Sequence, residues 1–155
     1  MNAGGIRSDL DCIGTPPCTV TFGQAFTMQP FGNDLVVMTL TGAQLKALLE
    51  QQQKPAGVDM TVLQPSDGFS YTWQSDAPAG ERARDLMLRG EPIVPERAYR
   101  VTVNSFMAEG GDGFSVLAKG TDRRSGVQDL DAVLAYLKAP AERAPIAAPR
   151  MTRKP

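Results

Sequence analysis

The chain has 155 residues, 42 % of them apolar and 21 % charged, which allows one sizeable core and excludes two large domains. Lys and Arg number 16 against 17 Asp and Glu, a net charge of −1, which argues against the basic surface that nucleic-acid polymers or anionic membranes require. Histidine is absent, removing the Ser-His-Asp triad, the Cys-His dyad, the usual zinc sites and most general acid–base schemes.

Residues 1–18 read as loop. The first twenty residues are polar and rich in Gly and Pro, without the basic start and apolar stretch of a signal peptide. No run of 18 apolar residues is present to span a membrane. The expectation is a cytosolic chain or one cut from a longer precursor. Residues 20–28 predict a short helix after Thr21, and the β-branched run 35–40 a strand. Thr41 and Gln44 form a T-x-x-Q capping box that opens a helix running to about Gln53. Ala43, Leu45, Leu48 and Leu49 make its apolar stripe.

Phe69, Tyr71 and Trp73 share one face of a strand over 69–75. Residues 85–89 predict a second strand, Gly90-Glu91-Pro92 a turn, and the alternating 98–104 a third strand. Gly110-Gly111-Asp112-Gly113 is a sharp loop. Asp129 caps a last helix over 130–138, with Leu130, Val133, Leu134 and Leu137 on its buried side. Helices and antiparallel strands in mixed order predict an α+β fold: a single domain, residues 1–138, with one mixed, mostly antiparallel sheet flanked by helices. Residues 139–155 hold four prolines, five alanines and a net charge of +3, and are expected to form a mobile tail with no core to pack.

The only two cysteines are Cys12 and Cys18. They read either as two free thiols in a loop or as a local disulfide, the latter stabilising by about 2 kcal/mol for so short a loop. Without histidine they make a poor metal site.

Three segments are arranged for more than packing. In Asn2-Ala-Gly-Gly-Ile-Arg7, two glycines beside an Asn and an Arg gather donors suited to a phosphate or hydroxyl. In Gln29-Pro-Phe31-Gly-Asn33, a phenylalanine sits in a loop at neither helical nor strand spacing. In the run from Phe106 to Phe114, Asp112 stands on a glycine loop where it can accept bonds from ribose hydroxyls. The last run lacks the alternate oxygen ligands of an EF-hand and the Gly-Lys-Ser/Thr ending of a P-loop. Each segment taken alone also fits an ordinary turn.

Together they resemble the C-terminal domain of the 5′-nucleotidase and UDP-sugar hydrolase family. That family carries N-G-G-G-I-R, P-F-G-N, L-x-G-x-x-L and N-F-x-x-x-G-G-D-G-F. The matches are Asn2 to Arg7, Pro30 to Asn33, Leu40-Thr-Gly42 with Leu45, and Phe106 to Phe114, in order across residues 2–138. Ala3 replaces the first family glycine. Ser105 stands where the family often has Asn, with Asn104 one residue earlier.

The resemblance implies that Phe31 and Phe106 sandwich a nucleobase, a contact of about 1–3 kcal/mol per ring that tolerates different bases. It implies that Asp112 binds ribose hydroxyls, that Arg7 and Asn2 lie near phosphate or ribose, that Asn33 adds a polar contact and that Gly68 borders the base. No catalytic residue and no metal ligand fall in this chain. The family's two divalent metal ions belong to an N-terminal metallophosphatase domain, expected to be missing here because Met1 directly precedes the first motif.

The chain is thus expected to be the substrate-binding domain excised from a metal-dependent 5′-nucleotidase that hydrolyses nucleoside 5′-phosphates. On its own it would be inactive. Its partners would be a nucleoside 5′-monophosphate or related nucleotide and its own metallophosphatase domain, with no nucleic-acid polymer and no membrane span. The alternative is a stand-alone, non-catalytic nucleoside- or nucleotide-binding module. Because the family is exported, the resemblance also implies a periplasmic or secreted location and a Cys12–Cys18 disulfide.

Overall fold

The computed structural model describes residues 3–11, 14, 18–54, 59–139 and 149–155. In chain order the elements are α1 (Phe22–Met28), β1 (Asp34–Thr41), α2 (Gly42–Glu50), β2 (Phe69–Gln74), β3 (Ala83–Leu88), β4 (Glu91–Pro92), β5 (Ala98–Asn104), α3 (Ser105–Ala108), β6 (Thr121–Gln128), α4 (Asp129–Lys138) and β7 (Met151–Lys154). Single 3-10 turns occupy Ala3–Gly5, Gly111–Gly113 and Leu117–Lys119.

β1 organises the first half of the molecule. Val36, Met38 and Leu40 are buried on one face, the alternation its apolar, β-branched sequence predicts. It runs antiparallel between β5 and β6, with Val36 opposite Val103 and Leu40 opposite Tyr99. Its buried face packs against Leu45, Leu48, Met107, Phe114 and Leu117.

α2 opens at the expected capping box. The Thr41 hydroxyl accepts the Gln44 N–H at 3.2 Å, and the Gln44 side chain accepts the Thr41 N–H at 2.8 Å. The same device, Thr21 with Gln24, opens α1. Gly42 starts α2 directly beneath the 93–95 segment. A Cβ there would lie 2.1 Å from the Val94 carbonyl oxygen, so no larger residue fits without moving backbone.

Two sheets form where one was expected. β2 and β3 do not join β1 but build a second sheet in the order β4-β3-β2-β7. α2 stands between the two cores: Leu45 and Leu48 enter the first, while Leu49 packs with Tyr71, Trp73 and Ala83 in the second. Fully buried Gln52 links these parts. Its carbonyl accepts the Leu63 N–H at 2.7 Å and the Tyr71 hydroxyl at 3.0 Å, and its amide donates to the Leu49 carbonyl at 3.0 Å. Period-two patterning identifies a strand and its buried face, but not the strand it pairs with.

Other boundaries differ. α2 ends at Glu50, and Ala43 is exposed. The 91–92 pair is a short edge strand after a turn at Arg89 and Gly90. α4 is capped by Gln128 through its backbone alone, and Asp129 is its first helical residue. Leu130, Val133, Leu134 and Leu137 are only half-buried. The expected unpacked tail is corrected at its far end, where β7 pairs parallel with β2, Tyr71 opposite Met151 and Trp73 opposite Arg153. Residues 140–148 of that tail lie outside the described residues.

Candidate functional site

The C-terminus of α1 brings Arg7 to the loop that carries Phe31. The Arg7 N–H donates to the Met28 carbonyl at 2.8 Å, and the guanidinium carbon sits 5.0 Å from the Phe31 ring centroid, in cation–π range. Phe31 is 45 % exposed, a large apolar ring left in water on a loop whose neighbour Gln29 is buried.

Asn33 then ties this loop to two helices. Its amide donates to the Asp129 carboxylate at 3.2 Å, its side-chain oxygen accepts the Ser105 hydroxyl at 3.3 Å, and its backbone carbonyl accepts the Asp129 N–H at 2.8 Å. Asp129 is almost fully buried and also accepts the Leu130 N–H at 2.8 Å. Thus Asn33 fixes the Phe31 loop against the start of α4 and the start of α3, one residue before Phe106.

The start of α3 is itself fixed. Buried Asn104 caps it, accepting the Met107 N–H at 2.8 Å. Phe106 is 49 % exposed. Its ring lies against Gly111, where a Cβ would come within 2.5 Å of the Cε1 atom. Asp112 follows, exposed and in a left-handed backbone conformation at φ 55°, ψ 20°, which non-glycine residues adopt uncommonly. Its carbonyl accepts from the Lys54 ammonium.

Arg7, Phe31, Asn33, Phe106 and Asp112 therefore belong to one set of contacting loops at the end of the first sheet. Gly68 does not join them. It precedes β2 in the second sheet, and its carbonyl accepts the Arg89 N–H at 2.6 Å. Asn2 and Cys12 lie outside the described residues. Cys18 is disulfide-bonded.

Three residues of this region make contacts that the sequence does not signal. Lys54 and Arg123 both hold the Phe106 to Phe114 loop, Lys54 at the Asp112 carbonyl and Arg123 by donating to the Ala108 carbonyl at 3.0 Å and pairing with Glu109. Ser105 meets Asn33 from 72 positions away. Only folding brings these groups together, so no local pattern marks them.

A metal ion has no evident place here. The sequence has no histidine, and among the described residues no three His, Cys, Asp or Glu side chains cluster to hold one. No helix among the described residues is long and apolar enough to cross a membrane.

Known proteins resemble this chain in sequence and in fold. The model of the 5′-nucleotidase C-terminal domain matches residues 1–119. Endonuclease YhcR of Bacillus subtilis (strain 168) is 34 % identical over 142 residues, covering 90 % of this chain and 11 % of that protein. A 5′-nucleotidase-related protein of Glossina morsitans morsitans is 34 % identical over 166 residues, covering 98 % of this chain and 28 % of that protein. The crystal structure of a 5′-nucleotidase precursor from Thermus thermophilus superposes with a TM-score of 0.77 at 33 % identity, covering 98 % of this chain and 30 % of that one. The chain therefore spans less than a third of the length of each of these three proteins.

Proposed function

The chain belongs to the 5′-nucleotidase C-terminal domain family, and from that membership we propose that it binds the nucleoside part of a nucleotide for hydrolysis by a larger phosphohydrolase. The observation that carries this reading is the pair of half-exposed rings, Phe31 and Phe106, on loops joined by the Asn33–Ser105 hydrogen bond. Two solvent-exposed phenylalanines on rigidly tied loops form a platform for a flat, apolar ligand face. Base–aromatic stacking contributes about 1–3 kcal/mol per base without demanding one base.

The polar groups around the rings suit the rest of a nucleotide. The Asp112 carboxylate can accept from two ribose hydroxyls, and the Arg7 guanidinium can donate to a phosphate through two parallel bonds. Asn2 stands in the same motif as Arg7 and is assigned to the ribose or phosphate. Asn33 acts as the tether between the two aromatic loops, and Gly68, which lies beside the second sheet, is given no part in this site.

Hydrolysis itself is assigned to another part of the polypeptide. The sequence has no histidine, and among the described residues no donor set fits a metal centre, so the two divalent ions of a metallophosphatase are assigned to an N-terminal domain. The chain alone is expected to release no phosphate from AMP with any divalent metal. The short span of its relatives that the chain covers favours this over a stand-alone binding module. The proposal extends to a periplasmic or secreted location and to a Cys12–Cys18 bridge, checked by intact mass before and after reduction.

The test is a two-dimensional NMR titration with adenosine and AMP. Shifts are expected at Gly4–Arg7, Phe31–Asn33 and Phe106–Asp112, and are expected to vanish in Phe31→Ala. Shifts absent at millimolar ligand, or unchanged in Phe31→Ala, would sink the reading.

A further inference from the structure

We propose that Lys54 is the positioning residue for Asp112 and thereby sets the preference of the site for ribose over a sugar lacking both hydroxyls. This rests on the reading that Asp112 meets the ribose.

Lys54 lies just beyond the C-terminus of α2, half-buried under the glycine loop. Its ammonium donates to the Gln51 carbonyl at 3.2 Å and to the Asp112 carbonyl, and stands 4.4 Å from the Phe114 ring centroid. It also lies 3.4 Å from where a Cβ on Gly113 would be. One helical turn back, the Gln51 side chain accepts the Val116 N–H at 3.2 Å and donates to the Ser115 hydroxyl at 2.8 Å. The end of α2 thus holds the loop across residues 112–116, and Lys54 is the member that touches Asp112 itself.

The contact matters because of the backbone it holds. Asp112 is left-handed between Gly111 and Gly113, two residues that leave the chain free to rotate. A charge-assisted bond to its carbonyl fixes that peptide, and with it the direction in which the carboxylate leaves the loop. The ammonium is itself held by a helix-end carbonyl and an aromatic face, so it acts as a fixed anchor. Phe106 rests on Gly111, whereas the Lys54 ammonium bonds to the Asp112 carbonyl and the Gln51 carbonyl. Removing the cation therefore disturbs the hydroxyl contact and spares the stacking.

The experiment compares adenosine with 2′,3′-dideoxyadenosine by NMR titration of the 155-residue chain, as wild type, Lys54→Met and Lys54→Arg. The wild type is expected to bind adenosine more tightly. Lys54→Met is expected to lose about tenfold in adenosine affinity, the scale of one charge-assisted bond. Its affinity for the dideoxynucleoside is expected to hold, so the two ligands bind alike. Lys54→Arg, which keeps a cation, is expected to retain most of the preference. A merely structural role would lower both affinities together and overturn the proposal. Lys54→Met with the wild-type preference intact would also overturn it and leave the ribose reading standing. A wild type that stacks both ligands equally would remove the ribose reading and this proposal with it. If Lys54→Met does not fold, Lys54→Gln, which lacks the charge, gives the same comparison.

Discussion

Asn33 serves three contacts at once, and they explain why a polar residue closes the Phe31 loop. Its amide meets a carboxylate that has almost no access to water. Asn33→Ala would remove one of the bonds compensating that burial, at a cost of about 1–3 kcal/mol. Urea unfolding is expected to report this loss, with an unchanged m-value because the denatured state is untouched. An unchanged midpoint would mean that Asp129 finds other partners and that Asn33 is no tether. The sequence displays Asn33 in a motif but cannot display its function as a link. Asp129 is 96 positions away and reads locally as an ordinary helix cap, and Ser105 is 72 away with no local sign of this contact. Phe31 is marked by its place in a glycine-containing loop, off any helical or strand period, whereas Phe106, in α3, is marked by the glycine run that follows it.

At the scale of elements, legibility followed locality. The capping box of α2 involves residues three apart, so Thr41 and Gln44 announce the helix wherever it packs. β6 involves no such signal. All eight of its residues are exposed, so no apolar alternation marks it, and pairing with β1 alone makes it a strand. β2 was legible from Tyr71 and Trp73, and its packing gives a pH prediction. Burial pushes the Tyr71 hydroxyl above its ordinary value of 10.0, with the bond to Gln52 opposing the shift. The folded chain then keeps that proton at a pH where the unfolded chain has lost it. Stability contributed by Tyr71 is fully present below about pH 10 and declines as pH rises through the folded value. Tyr71→Phe cannot ionise, and it loses the hydrogen bond to Gln52, worth about 1 kcal/mol at neutral pH. The stability gap between wild type and Tyr71→Phe is expected to narrow above about pH 10 in guanidinium titrations. A gap constant from neutral pH into that range would refute the assignment.

At the scale of the molecule, two sheets share one helix, and the candidate site belongs to the first of them. Strand patterns predicted an α+β chain, yet one sheet instead of two, because pairing partners are chosen by tertiary packing around α2. The second sheet is completed from the far end of the sequence. β7 is four residues long and comes from a segment whose prolines and positive charge read as tail. What holds it is tertiary. Tyr71 and Ser75 donate backbone N–H groups to Arg150 and Lys154 at 3.1 Å each, Met151 packs on the Trp73 core, and the Arg150 guanidinium donates to the Pro65 carbonyl at 2.7 Å. Removing residues 149–155 would leave β2 an open edge beside two buried aromatics, the arrangement that invites strand pairing between copies. A loss of about 2 kcal/mol corresponds to a melting temperature lower by about 4–8 °C for a chain of this size. The shortened chain is also expected to associate with rising concentration in light scattering, while nucleoside-induced shifts at Phe31 and Phe106 persist, because the site rests on the other sheet. An unchanged melting temperature would mean that β7 adds nothing and that the sequence was right to read this end as an unpacked tail. Loss of the nucleoside shifts would mean that the two sheets are not energetically separable, and that the second supports the site through α2.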